Sequence, residues 1–189
     1  ALSSCETNIR YTVTKQEWDA AVIQSNYTID YYENDELLFS SKYTENVLEL
    51  EGSYILFEGD KQYAIDYSEE YGWVASDVTG MEFEKGALLS GCEYEAFKYD
   101  KESKSYVYTE EDVVYDIKFE NGSPVSFTCT FLDTSTTPAT NNVIHKVYNN
   151  VGTTTITLPE YIYASDIEKT IDRTVDEDTW NSFKGLQNY

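Results

Sequence analysis

The stretch from residue 113 to residue 132 constrains the fold more than any other. It holds two alternating runs, 113–119 and 125–132, with Asn121-Gly122 between them. Asn and Gly both tolerate positive φ, which a two-residue hairpin turn requires. Side chains alternate at period two along a strand, so Tyr115, Ile117 and Phe119 share one face with Val125, Phe127, Cys129 and Phe131. Asp116, Lys118, Ser126, Thr128 and Thr130 share the other. One face is apolar and aromatic, the other is wet, and the apolar face needs something to cover it.

The same grammar runs through much of the chain. Residues 27–31, 37–43, 46–50, 54–58 and 62–67 are short alternating runs, separated by polar or glycine punctuation such as Glu51-Gly52 and Glu58-Gly59-Asp60. They predict an antiparallel meander, closed by Trp73-Val74. A second β half is expected at 94–99 and 105–109, followed by the Asn-Gly hairpin. A last hairpin is expected between 143–148 and 153–158, stopped by Pro159.

Helical patterns are few. Residues 13–22 read as a helix, with Thr14 as its cap and Glu17 three residues on, the spacing of a capping box. Trp18, Ala21 and Val22 make one apolar stripe, and Trp18 is expected to dock this helix on the sheet. Met81, Phe83, Leu88 and Leu89 fit a second short helix ended by Gly91.

The helix opening recurs. Thr12-Val13, Trp18 and Asn26-Tyr27 are matched at one constant offset by Thr174-Val175, Trp180 and Asn188-Tyr189. This predicts an internal repeat, with a flexible leader at 1–11, one domain at 12–161, and a linker and the start of a second repeat at 162–189. Trp180 and Phe183 are expected to order that tail by contact with a body of protein.

Composition narrows the function. Thirteen basic against 35 acidic residues give a net charge of −22, which repels phosphate backbones, so nucleic acid is not expected as a partner. The acids are scattered, and Asp100, Glu102 and Lys104 lack the glycine and closing Glu of a calcium loop. No 18-residue apolar run offers a transmembrane segment. Leu2-Ser3-Ser4-Cys5 has the order of a bacterial lipobox, which would make Cys5 a lipid-attachment residue; the alternative is an ordinary Cys in the leader. Cys92 and Cys129 are then either a disulfide or two thiols.

Catalytic chemistry has no sequence signature here. The single His, His145, has no nucleophile or ligand set in its pattern and reads as a surface or edge residue. Phosphate loops, Cys-x-x-Cys and nucleophile elbows are missing, and carboxylate pairs such as Glu69-Glu70 are too common to single one out. No enzyme activity, cofactor or metal is expected.

The capped Trp helix, Asn26-Tyr27-Thr28-Ile29, Phe97-Lys98-Tyr99 with Tyr106, Ile117-Lys118-Phe119-Glu120-Asn121-Gly122 and Gly152-Thr153-Thr154-Thr155-Ile156-Thr157-Leu158-Pro159 together resemble a domain of secreted Gram-positive lipoproteins, similar to the LolA/LolB-like superfamily. The resemblance implies an α+β domain: a highly curved antiparallel sheet, an incomplete barrel, with helices over its concave face. It also implies an extracytoplasmic protein, secreted or held at the cell surface. Two functions are open on this reading. One is a module that binds a lipid or other hydrophobic small molecule in the hollow of the sheet. The other is an interaction or spacer module with a filled core. Trp18, Tyr115, Ile117, Phe119, Phe127, Cys129 and Phe131 are the residues of that ligand or core face under either reading.

Overall fold

A computed structural model describes residues 8–83 and 86–170. Cys5, Trp180 and Phe183, and with them the lipid-attachment and second-repeat expectations, lie outside the described residues. The described elements are α1 (Lys15–Val22), β1 (Tyr27–Glu33), β2 (Glu36–Tyr43), β3 (Val47–Leu50), β4 (Ser53–Glu58), β5 (Lys61–Ser68), β6 (Gly72–Asp77), β7 (Lys98–Asp100), β8 (Ser105–Glu110), β9 (Val113–Glu120), β10 (Ser123–Asp133), β11 (Thr140–Asn149), β12 (Tyr161–Tyr163) and α2 (Ala164–Thr170). The strands are hydrogen-bonded in the open order β12-β6-β5-β4-β3-β2-β1-β11-β10-β9-β8-β7.

The fold is therefore mainly β. The expected α+β arrangement, with helices covering a concave sheet face, is overturned by this strand-rich order: among the described residues helix is confined to the 8 residues of α1 and the 7 of α2. The second covering helix is the missing part. Residues 81–83 and 86–93 run as bends and turns, and only Tyr94–Ala96 makes a single 3₁₀ turn. Gly80 and Gly91 sit at φ 95° and 82°, outside helical backbone. Leu88 and Leu89 are buried nonetheless, so their spacing reports burial of a loop and not a helix period.

The chain divides into two compact units, one holding residues up to 40 with 86–154, the other 41–85 with residues from 155. In the first, β1 pairs with β11, placing Thr28 opposite Asn149, and β11, β10, β9, β8 and β7 follow as antiparallel neighbours. The expected partner of β11 was 153–158. Residues 154–160 form no strand; instead Asn26 Oδ1 accepts from Thr154 N at 2.7 Å and Asn26 Nδ2 donates to Thr154 O at 3.0 Å. The backbone groups of Thr154, satisfied this way, need no ladder.

In the second unit the β3–β6 meander is antiparallel, and β12 joins β6 in parallel, Tyr161 opposite Trp73. Val74, Ala164 and Ile167 pack together with Tyr71 against them, and Tyr63 meets Tyr163 edge to face at 5.2 Å.

The Asn-Gly hairpin forms as expected, with Asn121 and Gly122 at φ 51° and 84°. Its register contains one surprise. The two-residue turn sets Pro124 opposite Phe119, and a bulge at Val125 then shifts the register by one, so that Ser126 lies opposite Lys118, Phe127 opposite Ile117 and Cys129 opposite Tyr115. Pro124 has no N–H to give a ladder, and the pairing of β10 with β11 begins only beyond the bulge, at Ser126.

Candidate functional site

In the first unit one sheet face collects the aromatic residues. Cross-strand pairing places Tyr99, Tyr106, Ile117, Phe127 and Lys146 in one row, and Tyr108, Tyr115, Cys129 and Ile144 in the next. The opposite face is polar: Ser105 Oγ donates to Asp116 Oδ2 at 2.7 Å, and Thr128 Oγ1 shares a 2.7 Å hydrogen bond with His145 Nδ1.

At one end of the aromatic face the core is closed. Thr14 caps α1, and the full capping box with Glu17 is present. That box fixes where the helix starts and so where Trp18 points. The indole is fully buried, with ring contacts to Tyr94, Phe97, Tyr106 and Phe119 at centroid distances of 5.1–5.6 Å. Its Nε1 donates to the Cys92 carbonyl at 3.0 Å. Val13 N donates to the Tyr106 hydroxyl at 2.9 Å. Ile117 and Phe119 have no solvent exposure.

The helix is also tied to the hairpin tip. Arg10 forms a forked pair with Glu17, at 2.7 and 2.6 Å, and Asn121 N donates to the Arg10 carbonyl at 2.8 Å. The guanidinium first, and the Thr14 backbone N–H second, bring the Glu17 carboxyl down to about 2.

Farther along the same face the cover ends. The 86–93 segment is anchored by Leu88 N to the Gln24 carbonyl at 2.8 Å, and the Tyr148 hydroxyl donates to the Leu88 carbonyl at 3.4 Å. Beyond it opens a groove of about 410 Å³, lined by Ser90, Cys92, Ala96 and the rings of Phe97, Tyr108, Tyr115 and Phe127, with Glu93 and Glu110 also on its wall. The rings follow one another at 5.5, 6.0 and 6.1 Å, with Tyr108 and Tyr115 stacked. Lys146, the cross-strand partner of Phe127, holds its Nζ 5.3 Å from the centre of that ring.

Cys92 and Cys129 are free thiols. Burial pushes both up, and the Lys146 ammonium opposes it in each case. Burial also raises the Tyr115 hydroxyl, with the charges of Cys129 and Glu110 adding to it. None of these shifts favours a thiolate or phenolate, so Cys92 and Tyr115 meet the groove as a neutral thiol and a neutral phenol. A second hollow, of about 680 Å³, runs along β7 and β8 and is lined by Lys98, Asp100 and Lys101 among others. It has fewer rings and a mixed-charge rim.

The structure thus separates the residues singled out in the sequence. Trp18, Ile117 and Phe119 are closed core. Tyr115 and Phe127 line the groove. Cys129 is half-buried beside Tyr115, and Phe131, also half-buried, lies toward the end of β10 and is not part of the groove wall. Phe97, Tyr108, Cys92, Glu93 and Glu110 belong to the groove and were not picked out; only the alternation of Tyr106 and Tyr108 with the hairpin face hinted at one of them. Among the described residues no group of three or more His, Cys, Asp or Glu is placed to hold a metal ion, and no helix is long and apolar enough to cross a membrane. No model of a known protein family matches the chain, and no curated protein matches it.

Proposed function

We propose that this chain is a non-catalytic binding module of the cell exterior, and that it takes a hydrophobic small molecule in the open groove beside Tyr115. The observation that supports this is the row Phe97–Tyr108–Tyr115–Phe127, left uncovered along a groove of about 410 Å³. That volume is within the range of small-ligand pockets, and apolar walls with few polar groups are their usual chemistry. A lipid attached at Cys5 would hold such a module at the membrane surface, in keeping with the lipobox-like order of residues 2–5.

A spacer or interaction module is the second reading, favoured by the complete burial of Trp18, Ile117 and Phe119. A filled core needs no ligand. The two readings part at the groove. Fluorescent acyl probes should bind with one-to-one stoichiometry, and native mass spectrometry should retain the complex. Phe127→Asp should weaken binding far more than Thr128→Asp, whose side chain is on the polar face. Absence of binding by both methods, for anionic, neutral and cationic heads alike, overturns the binding-module reading in favour of the spacer.

A further inference from the structure

We infer that the groove selects organic cations: its occupant is an amphiphile with an ammonium head on an apolar body. This rests on the binding-module reading and narrows it. The charged side chains on the groove wall are Glu93 and Glu110, both exposed, and no Lys or Arg stands among the lining residues. A carboxylate head, as in a fatty acid, would meet two like charges on the wall against one opposite charge, Lys146 at the Phe127 end. An ammonium head would meet two opposite ones.

The rings favour the same choice. An aromatic face carries negative potential, and a cation within about 6 Å of the ring centre is attracted to it. The protein already makes that contact at this site, with Lys146 Nζ over Phe127. Lys146 also sets the direction of the occupant. Its ammonium repels a second cation from the Phe127 end, so the head belongs at the carboxylates of the wall, near Tyr108 and Glu110, and the apolar body along Tyr115 and Phe127. An alkylated ammonium is weakly hydrated, so little is lost when it leaves water for such a wall. A neutral head gains neither the charge–charge attraction of the carboxylates nor the cation–ring attraction.

The test uses three probes with one decyl chain, each kept below its micelle concentration: decyltrimethylammonium, decanoate and a neutral decyl glucoside. Titration calorimetry on the whole chain should rank the cation about tenfold or more above either of the others. The pair Glu93→Gln with Glu110→Gln should remove most of that advantage and leave the glucoside unchanged. Glu69→Gln with Glu70→Gln, an equal charge change in the other unit, should leave all three probes unchanged. If all three probes bind alike, the cation inference falls and the binding-module reading stands. If none binds, both fall. If both double variants weaken the cation equally, its preference comes from the diffuse charge of −22 and the inference falls as well.

Discussion

The Trp18 end and the groove end of the first unit lie on the same face of the same strands, yet one is shut and the other open. Phe119 and Ile117 are wholly buried, while Tyr115, two residues before Ile117 in β9, is only half-buried. Tyr106 touches Trp18, and Tyr108, two residues on, lines the groove. The difference is not in the strands. It lies in what covers them: a capped helix with a large indole at one end, and a loop that stops short at the other. Alternation decides which face a side chain takes; segments distant in sequence decide whether that face meets water.

The largest expected effect tests the closed end. Trp18→Ala should cost about 3–5 kcal/mol in a denaturant titration, the range for a large core aromatic. Tyr115→Ala, at the open end, should cost about 1 kcal/mol. Equal losses at the two positions would erase the contrast between them.

Gly122→Ala comes next. Gly122 sits at φ 84°, and an added Cβ would collide with the Glu17 carboxylate that Arg10 holds. Backbone strain of this kind costs about 1–3 kcal/mol, visible as a lower melting temperature. A neutral result would mean that the hairpin tip does not brace the helix.

Tyr148→Phe removes a buried hydroxyl that holds the Leu88 carbonyl. The expected loss is about 1 kcal/mol. Faster amide exchange at residues 88–92, with the Trp18 region unchanged, would tie the effect to the groove margin; a uniform change would not.

The smallest effect is a pH dependence. The Glu17 carboxyl is brought from 4.5 to about 2 in the folded chain. A depressed acid adds stability that is present above about pH 4.5 and fades as pH falls toward 2. The melting-temperature difference between the parent and Glu17→Gln should therefore shrink across that window. A difference that stays constant would show that the Arg10 pair contributes through packing alone.

How much of this could be read beforehand follows the reach of each interaction. The capping box spans Thr14 to Glu17 and the hairpin turn spans two residues, so both were legible. The apolar face of 115–129 was legible because period two needs no partner. The bulge after Pro124 was not read, although a proline inside a strand is a warning of one. The partner of β11 was out of reach, because β1 lies more than a hundred residues earlier. The groove was half legible. Tyr115 and Phe127 follow from alternation, but Phe97, Cys92 and Glu93 reach it through a loop whose path no periodicity encodes.

The pairing of Thr28 with Asn149 has a consequence in time. During synthesis β1 is made first of the described strands, and its ladder partner β11 appears only after most of the others. At about 5–20 residues per second, that delay is on the order of ten seconds. Throughout it, the Tyr-rich strand has an unsatisfied edge, and α1 has only part of the surface on which Trp18 rests. The meander of the second unit pairs neighbours and can form while the chain waits. Assembly is therefore expected to proceed from the middle outward, with β1 among the last to lock although it is made before every strand it waits for.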